Sequence, residues 1–342
     1  ALYPVARSHV WHDRAIVFLD ALQAGNLAAT LQSSHPGVMT MWLVAGARWF
    51  GQTFLPDVYG AGYWNQSVIE IIPLALVIAL LIVLAYFLLR RLFPPLPVMA
   101  ATLLLAVDPF HIFISKTIHV DALMSMFLLI SCLYLLIFID KREANNKRPL
   151  FLSAIFGGLA LLTKTPALFV FPFLLLCLFV AQVNQHMAQA SSWPSRQQLW
   201  QRGKWLGHTT VLWLGVLLLT FVLFNPAIWA DPVGSLQIMV GGTSTYVQTP
   251  HENPLLFQGT IYTNDPGLLF YPVNILLKST AVVTIAFVLS IPVLFLRQIA
   301  WPKRQTLWLL LAYLLFFAVQ MSLAEKKAAR YVLPTLQGIV LF

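Results

Sequence analysis

Apolar runs long enough to cross a lipid bilayer recur along this chain, near residues 68–89, 96–114, 121–140, 149–163, 165–183, 206–226, 277–297 and 305–323, with a ninth beginning near 331. Spanning a hydrocarbon core about 30 Å thick takes roughly 20 mostly apolar residues in a helix. The runs are apolar all round rather than along one stripe, which is the pattern of lipid-embedded helices. The chain is 59% hydrophobic and 10% charged, against about 25% charged for a water-soluble domain. The expected fold class is therefore an all-α polytopic membrane protein. Because the chain starts at Ala1 and stops inside an apolar run at Phe342, it reads as part of a longer protein.

The net charge of +9 raises the question of nucleic acid, and the placement of the cations answers it. Arg90 and Arg91 follow the first run; Lys141, Arg142, Lys147 and Arg148 the third; Arg196, Arg202 and Lys204 the fifth; Arg297, Lys303 and Arg304 the seventh. These are alternate short connections, so the excess lies on one side, which the positive-inside rule makes cytoplasmic. A nucleic-acid partner is excluded on that ground. The two cysteines, Cys132 and Cys177, both lie in apolar runs, as small core residues do, and form no disulfide framework.

The opposite side holds residues 1–67, the turn 109–120, the link at Lys164, the loop 227–276 and the turn 324–330. The organisation expected is a first outer loop over 1–67, a transmembrane bundle over 68–226, an outer loop over 227–276, and C-terminal spans over 277–342. Loops on a rigid scaffold carry function disproportionately, and the outer loops here are rich in Trp, Tyr, His, Pro, Gly and acids. Residues 11–24 intersperse Ala15, Ile16, Phe18, Leu19 and Leu22 with Asp13, Arg14 and Asp20, which predicts an interfacial amphipathic helix ended at Gly25–Asn26. Residues 36–52 predict a second interfacial helix or a re-entrant segment.

Four groups of residues could carry chemistry. Asp121 opens a span, where a carboxylate either caps the helix or faces a cavity as a functional group. Lys164 lies between two spans on the side that the positive-inside rule disfavours, either snorkelling to lipid or holding a phosphate. Lys326, Lys327 and Arg330, with Tyr331, form a second such cluster, suited to a phosphate because Arg binds one through two N–H groups; the competing role is a rim for lipid headgroups. His35, His251, Glu252 and Asp265 are candidates for binding a sugar or an acceptor, although Pro and Gly around them also fix turns. Ligands for a metal are not clustered in the sequence as such a site needs.

Taken in order, these pieces resemble the GT-C superfamily of membrane glycosyltransferases, in the branch of protein O-mannosyltransferases and lipid A aminoarabinose transferases. The resemblance rests on Trp11, Arg14 and Phe18; Thr30, His35–Pro36–Gly37 and Trp42; His119 and Asp121; Thr163–Lys164–Thr165–Pro166; His251–Glu252–Asn253–Pro254, Gly259 and Asp265–Pro266–Gly267; and Arg330–Tyr331 with Leu333–Pro334. It implies a GT-C-type helix bundle with juxtamembrane helices in the first outer loop. It also implies a polyprenyl-phosphate sugar as donor, a protein or lipid acceptor, and transfer at the periplasmic or extracellular face of the plasma or inner membrane. Arg14, Lys164, Lys326, Lys327, Arg330 and Tyr331 would hold the donor phosphate. Such relatives carry an acidic pair shortly before the position of Trp11, where this chain has Arg7–Ser8–His9. That leaves Asp13 or Asp121 as general base, with a divalent metal left open. The competing reading is a non-catalytic membrane-complex subunit or carrier-lipid transporter on the same fold.

Overall fold

The computed structural model describes residues 8–140, 146–189, 195–248, 254–296 and 301–342. Of the residues named above, Ala1, Arg7, Lys141, Arg142, His251, Glu252, Asn253 and Arg297 lie outside the described residues.

The chain opens with helix α1 (Ser8–Gln23), which stops where Gly25 takes a left-handed φ of 68°. A 3-10 turn (Leu27–Thr30) leads to α2 (Val38–Phe54) and the short α3 (Pro56–Gly60). The first long apolar helix, α4 (Tyr63–Leu92), is followed by α5 (Pro95–Val107), α6 (Pro109–Ser115), α7 (Val120–Ile139) and α8 (Arg148–Thr163). A 3-10 turn (Thr165–Phe169) runs into α9 (Val170–Gln189), then come α10 (Arg196–Leu223), α11 (Pro226–Ala230) and α12 (Pro232–Gln248). A small hairpin of β1 (Leu255–Phe257) and β2 (Thr260–Tyr262) pairs Leu256 with Ile261. The remainder is α13 (Phe270–Lys278), α14 (Ala281–Ser290), α15 (Trp301–Ser322) and α16 (Leu333–Leu341).

Among the described residues, five segments are long and apolar enough to cross a membrane: α4, α7, 165–183, α10 and most of α15. The number rises to seven if each of two bent pairs is one span. The chain is an integral membrane protein. Two of the expected straight spans are broken. Run 96–114 bends by 54° between α5 and α6, where Pro109 has no N–H to continue the ladder and Asp108 Oδ1 accepts the His111 N–H at 2.7 Å. Run 277–297 does not begin a straight helix either: α13 and α14 meet at 112°. Thr280 caps the second of them, its hydroxyl accepting the Val283 N–H at 3.4 Å. Pro226 and Pro232 begin helices α11 and α12, as proline does in a first helical turn.

The apolar runs are alike in sequence yet differ in position. Helix α7 is 89% buried over its apolar window, against 28% for α4 and α10. It is the central post, packed against α4, α8 and α9. Small and hydroxylated residues bring α8 against it and against α10. Ser131 Oγ donates to the Ser153 carbonyl at 2.8 Å and Trp213 Nε1 donates to Ser153 Oγ at 3.1 Å. A Cβ on Gly158 would stand 2.8 Å from the Leu217 carbonyl. Between helices in lipid, such close approach and hydrogen bonding replace the hydrophobic drive.

Helices α1 and α2 pack on each other and α2 packs on α4. Trp11, Ala15, Phe18 and Leu19 of α1 are buried there, and the Phe18 and Trp42 rings meet edge to face at 5.1 Å. Both were expected as interfacial helices, with α2 alternatively re-entrant.

Candidate active site

At one end of the bundle three chain breaks meet. The first is the start of α7. His119 is its N-cap and its Nδ1 accepts the Asp121 N–H at 3.3 Å. That satisfies one of the amides left open at a helix start and sets Asp121 in the first turn, 1% exposed. The second is the end of α8, where Pro166 bars a continuous helix and Lys164 takes extended backbone (φ −162°). The third is the 3-10 turn Ala329–Val332 before α16, which carries Arg330 and Tyr331.

The side chains converge on Asp121. Lys164 Nζ donates to its Oδ1 at 2.6 Å, and Arg330 Nε lies 3.0 Å from its Oδ2. The Arg330 contact is an ion pair without the alignment of a hydrogen bond, since neither atom meets hydrogen-bond geometry there. His119 Nδ1 approaches Oδ2 to 3.1 Å. Burial, first, holds the His119 imidazole below its ordinary pKa, with the charges of Arg330 and Lys164 adding to it against the pull of Asp121. Tyr331 is buried beneath the cations: the Lys164 ammonium is 3.9 Å from its ring centroid and the Arg330 guanidinium 5.1 Å.

His35, buried in the turn before α2, faces the same cluster, with its Nδ1 3.4 Å from the Thr165 hydroxyl. Burial, and then the positive charge of Lys164, lower its pKa to about 3, with Lys326 and Arg14 adding in the same sense. Arg14 itself stacks over the Trp11 ring at 4.6 Å. The site therefore gathers Asp121, Lys164, Arg330, Tyr331, His119 and His35, with Arg14 and Lys326 near enough to act on His35.

Three other candidates stand apart from that centre. Asp13 is exposed on α1. The Lys327 side chain is fully buried and donates to Asp265 Oδ1 at 2.6 Å. A candidate for the phosphate and a candidate for the acceptor are thus paired with each other, clamping the Asp265–Gly267 turn to the segment before α16. Among the described residues no three His, Cys, Asp or Glu side chains gather as a metal site would require.

A second polar cluster was not singled out from the sequence. Glu70 of α4, fully buried, receives His12 Nδ1 at 2.5 Å and the Tyr59 hydroxyl at 2.6 Å. Arg48 donates to Tyr59 at 2.8 Å and stands 3.7 Å from Glu70. Burial, and then the Glu70 carboxylate, raise the Tyr59 phenol well above its usual range. The signal available was Glu70 itself, an acid inside an apolar run.

The helix bundle shares its fold with solved structures of ArnT. More particularly, residues 63–195 match the family model described as dolichyl-phosphate-mannose-protein mannosyltransferase. The crystal structure of ArnT from Cupriavidus metallidurans bound to undecaprenyl phosphate superposes with a TM-score of 0.63 at 14% identity, covering 96% of this chain and 54% of that one. The apo structure of the same protein gives 0.61 at 14% identity, covering 97% and 54%. The chain thus spans about half the length of these solved relatives. No curated protein matches it in sequence.

Proposed function

We propose that the protein binds a polyprenyl-phosphate sugar at the Asp121–Lys164–Arg330 cluster and transfers the sugar to a protein or lipid acceptor on the non-cytoplasmic face. The observation that carries this reading is the convergence of Lys164 and Arg330, from distant parts of the chain, on one buried carboxylate at 2.6 and 3.0 Å. Preorganised cations are what a departing carrier phosphate needs as its negative charge develops. ArnT bound to undecaprenyl phosphate is the fold relative that supports the choice of carrier. The positive-inside pattern supports the choice of face.

In this reading Lys164 and Arg330 hold the phosphate, Tyr331 backs them, and Asp121 orients both cations. A carboxylate so engaged is a poor proton acceptor, which makes Asp121 an organiser rather than the base. Asp13, the other acid expected as base, is exposed on α1 and apart from the cluster, so this reading assigns no general base. The second reading, a carrier-binding subunit without transferase activity, is favoured by one observation: Arg7–Ser8–His9 replaces the acidic pair.

The test is binding of undecaprenyl phosphate to detergent-purified protein, followed by sugar release from a polyprenyl-phosphate sugar. Binding lost in Lys164→Ala and Arg330→Ala, with sugar release by the wild type, supports the transferase. Binding without release supports the subunit. Wild-type protein that is folded and does not bind removes both readings.

A further inference from the structure

The His12–Glu70–Tyr59–Arg48 cluster takes no part in the chemistry just proposed, yet its position gives it a purpose. It joins four elements: His12 from α1, Arg48 from α2, Tyr59 from α3 and Glu70 from α4. A fully buried carboxylate is tolerable only when its oxygens are satisfied. Glu70 meets that demand with the His12 ring on one oxygen and the Tyr59 hydroxyl on the other. The result is a directional peg on a slippery surface, since apolar contact alone fixes neither the rotation nor the axial register of α1 against α4.

The neighbour of His12 in the chain is Trp11, and Trp11 faces the site. Its ring meets His119 edge-on at 6.3 Å and carries the Arg14 guanidinium at 4.6 Å. It also fills the space that a side chain at position 37 would need, its Cζ3 only 1.9 Å from where that Cβ would stand. Gly37 in turn donates its N–H to the Thr163 carbonyl at 3.2 Å, one residue before Lys164. One end of α1 is therefore fixed to α4 through His12, while the adjacent residue bears on the turn that adjoins Lys164 and on the imidazole beside Asp121.

We infer that Glu70, acting through His12, is a positioning residue: it sets Trp11, and through Trp11 the His119 ring and the His35–Gly37 turn, against the Asp121–Lys164–Arg330 cluster. This inference rests on the proposed function for its consequence in binding, but its geometric content stands separately.

The experiment uses protein labelled with 15N-histidine in detergent, the His119 ring signals being assigned by their loss in His119→Gln. Undecaprenyl phosphate binding is measured on the same samples. Glu70→Ala and His12→Ala are expected to move the His119 signals and weaken binding about tenfold, whereas Glu70→Gln, which keeps two hydrogen-bonding atoms, stays within about threefold. Leu74→Ala is the control: it removes a buried side chain one turn along α4, destabilises the fold, and is expected to leave the His119 signals in place. Unmoved His119 signals in His12→Ala would overturn the inference, as would equal movement in Leu74→Ala. His12→Ala also carries the test if Glu70→Ala does not fold. Failure of the wild type to bind would count against the proposed function, while the His119 signals would still judge the positioning.

Discussion

Lys164 and Asp121 form a buried ion pair at 2.6 Å, their side chains 5% and 1% exposed, although one ends α8 and the other begins α7. Neither charge reaches bulk water, and each is tolerable because the other is there. Removing one partner of such a pair leaves an uncompensated charge.

Asp121→Asn should therefore destabilise the fold by about 3–5 kcal/mol, because it leaves Lys164 and Arg330 facing each other without their carboxylate. Lys164→Met should cost less, since Asp121 keeps the Arg330 guanidinium at 3.0 Å. Thermal unfolding of the two single variants and the double variant, in one detergent, gives the comparison. Equal losses in both single variants would contradict this ordering.

The Lys327–Asp265 pair is lopsided, with the lysine side chain 0% and the aspartate 37% exposed. Lys327→Met, which fills the same space without a charge, should be close to neutral in stability. Asp265→Asn strands the ammonium and should cost about 1–3 kcal/mol. Limited proteolysis across 254–270 should report the released clamp in Asp265→Asn before global unfolding does.

The histidines make the fold sensitive to acid. A folded-state pKa of about 3 for His35 lies below its ordinary value. As pH falls through about 6.5 the unfolded chain gains a proton that the folded chain refuses, so stability is complete above that pH and is lost below it. Between pH 7 and pH 5 this amounts to about 2 kcal/mol for one such group, and His119, shifted in the same direction, adds to it. His35→Gln should flatten the dependence of unfolding temperature on pH over that interval. An unchanged slope would show that His35 is not held neutral.

Gly37 has a left-handed φ of 62°, and the Trp11 ring occupies the place of its missing Cβ. Gly37→Ala should cost about 1–3 kcal/mol from backbone strain and overlap together. Trp11→Leu in the same chain should recover the overlap and leave the backbone strain, giving a double-mutant coupling readable by thermal unfolding.

The membrane class, the approximate positions of the apolar helices and the residues of the main cluster were legible in the sequence. Asp121, Lys164 and Arg330 stood out because a charge next to an apolar run is costly and needs a reason. Glu70 was passed over because its partners, His12, Arg48 and Tyr59, lie on other elements, and nothing in their spacing marks them as one network. The partnership of Lys327 with Asp265 was hidden in the same way, and both were assigned to ligands. The breaks near Asp108 and Ser279 fall within stretches whose hydropathy reads as continuous.

What the amino-acid sequence determined by itself is the solvent. A chain with these apolar runs and so few charges can only satisfy itself within lipid. What the tertiary structure alone decided is neighbourhood. Helix α7 became the central post although α4 is just as apolar, because lipid and protein interior are nearly equivalent surroundings for a leucine and composition cannot rank them. Lys164, Arg330 and Asp121 became one site because helix packing brought three breaks to the same end of the bundle. A one-dimensional pattern records each charge, and only the packing determines which opposite charge it meets.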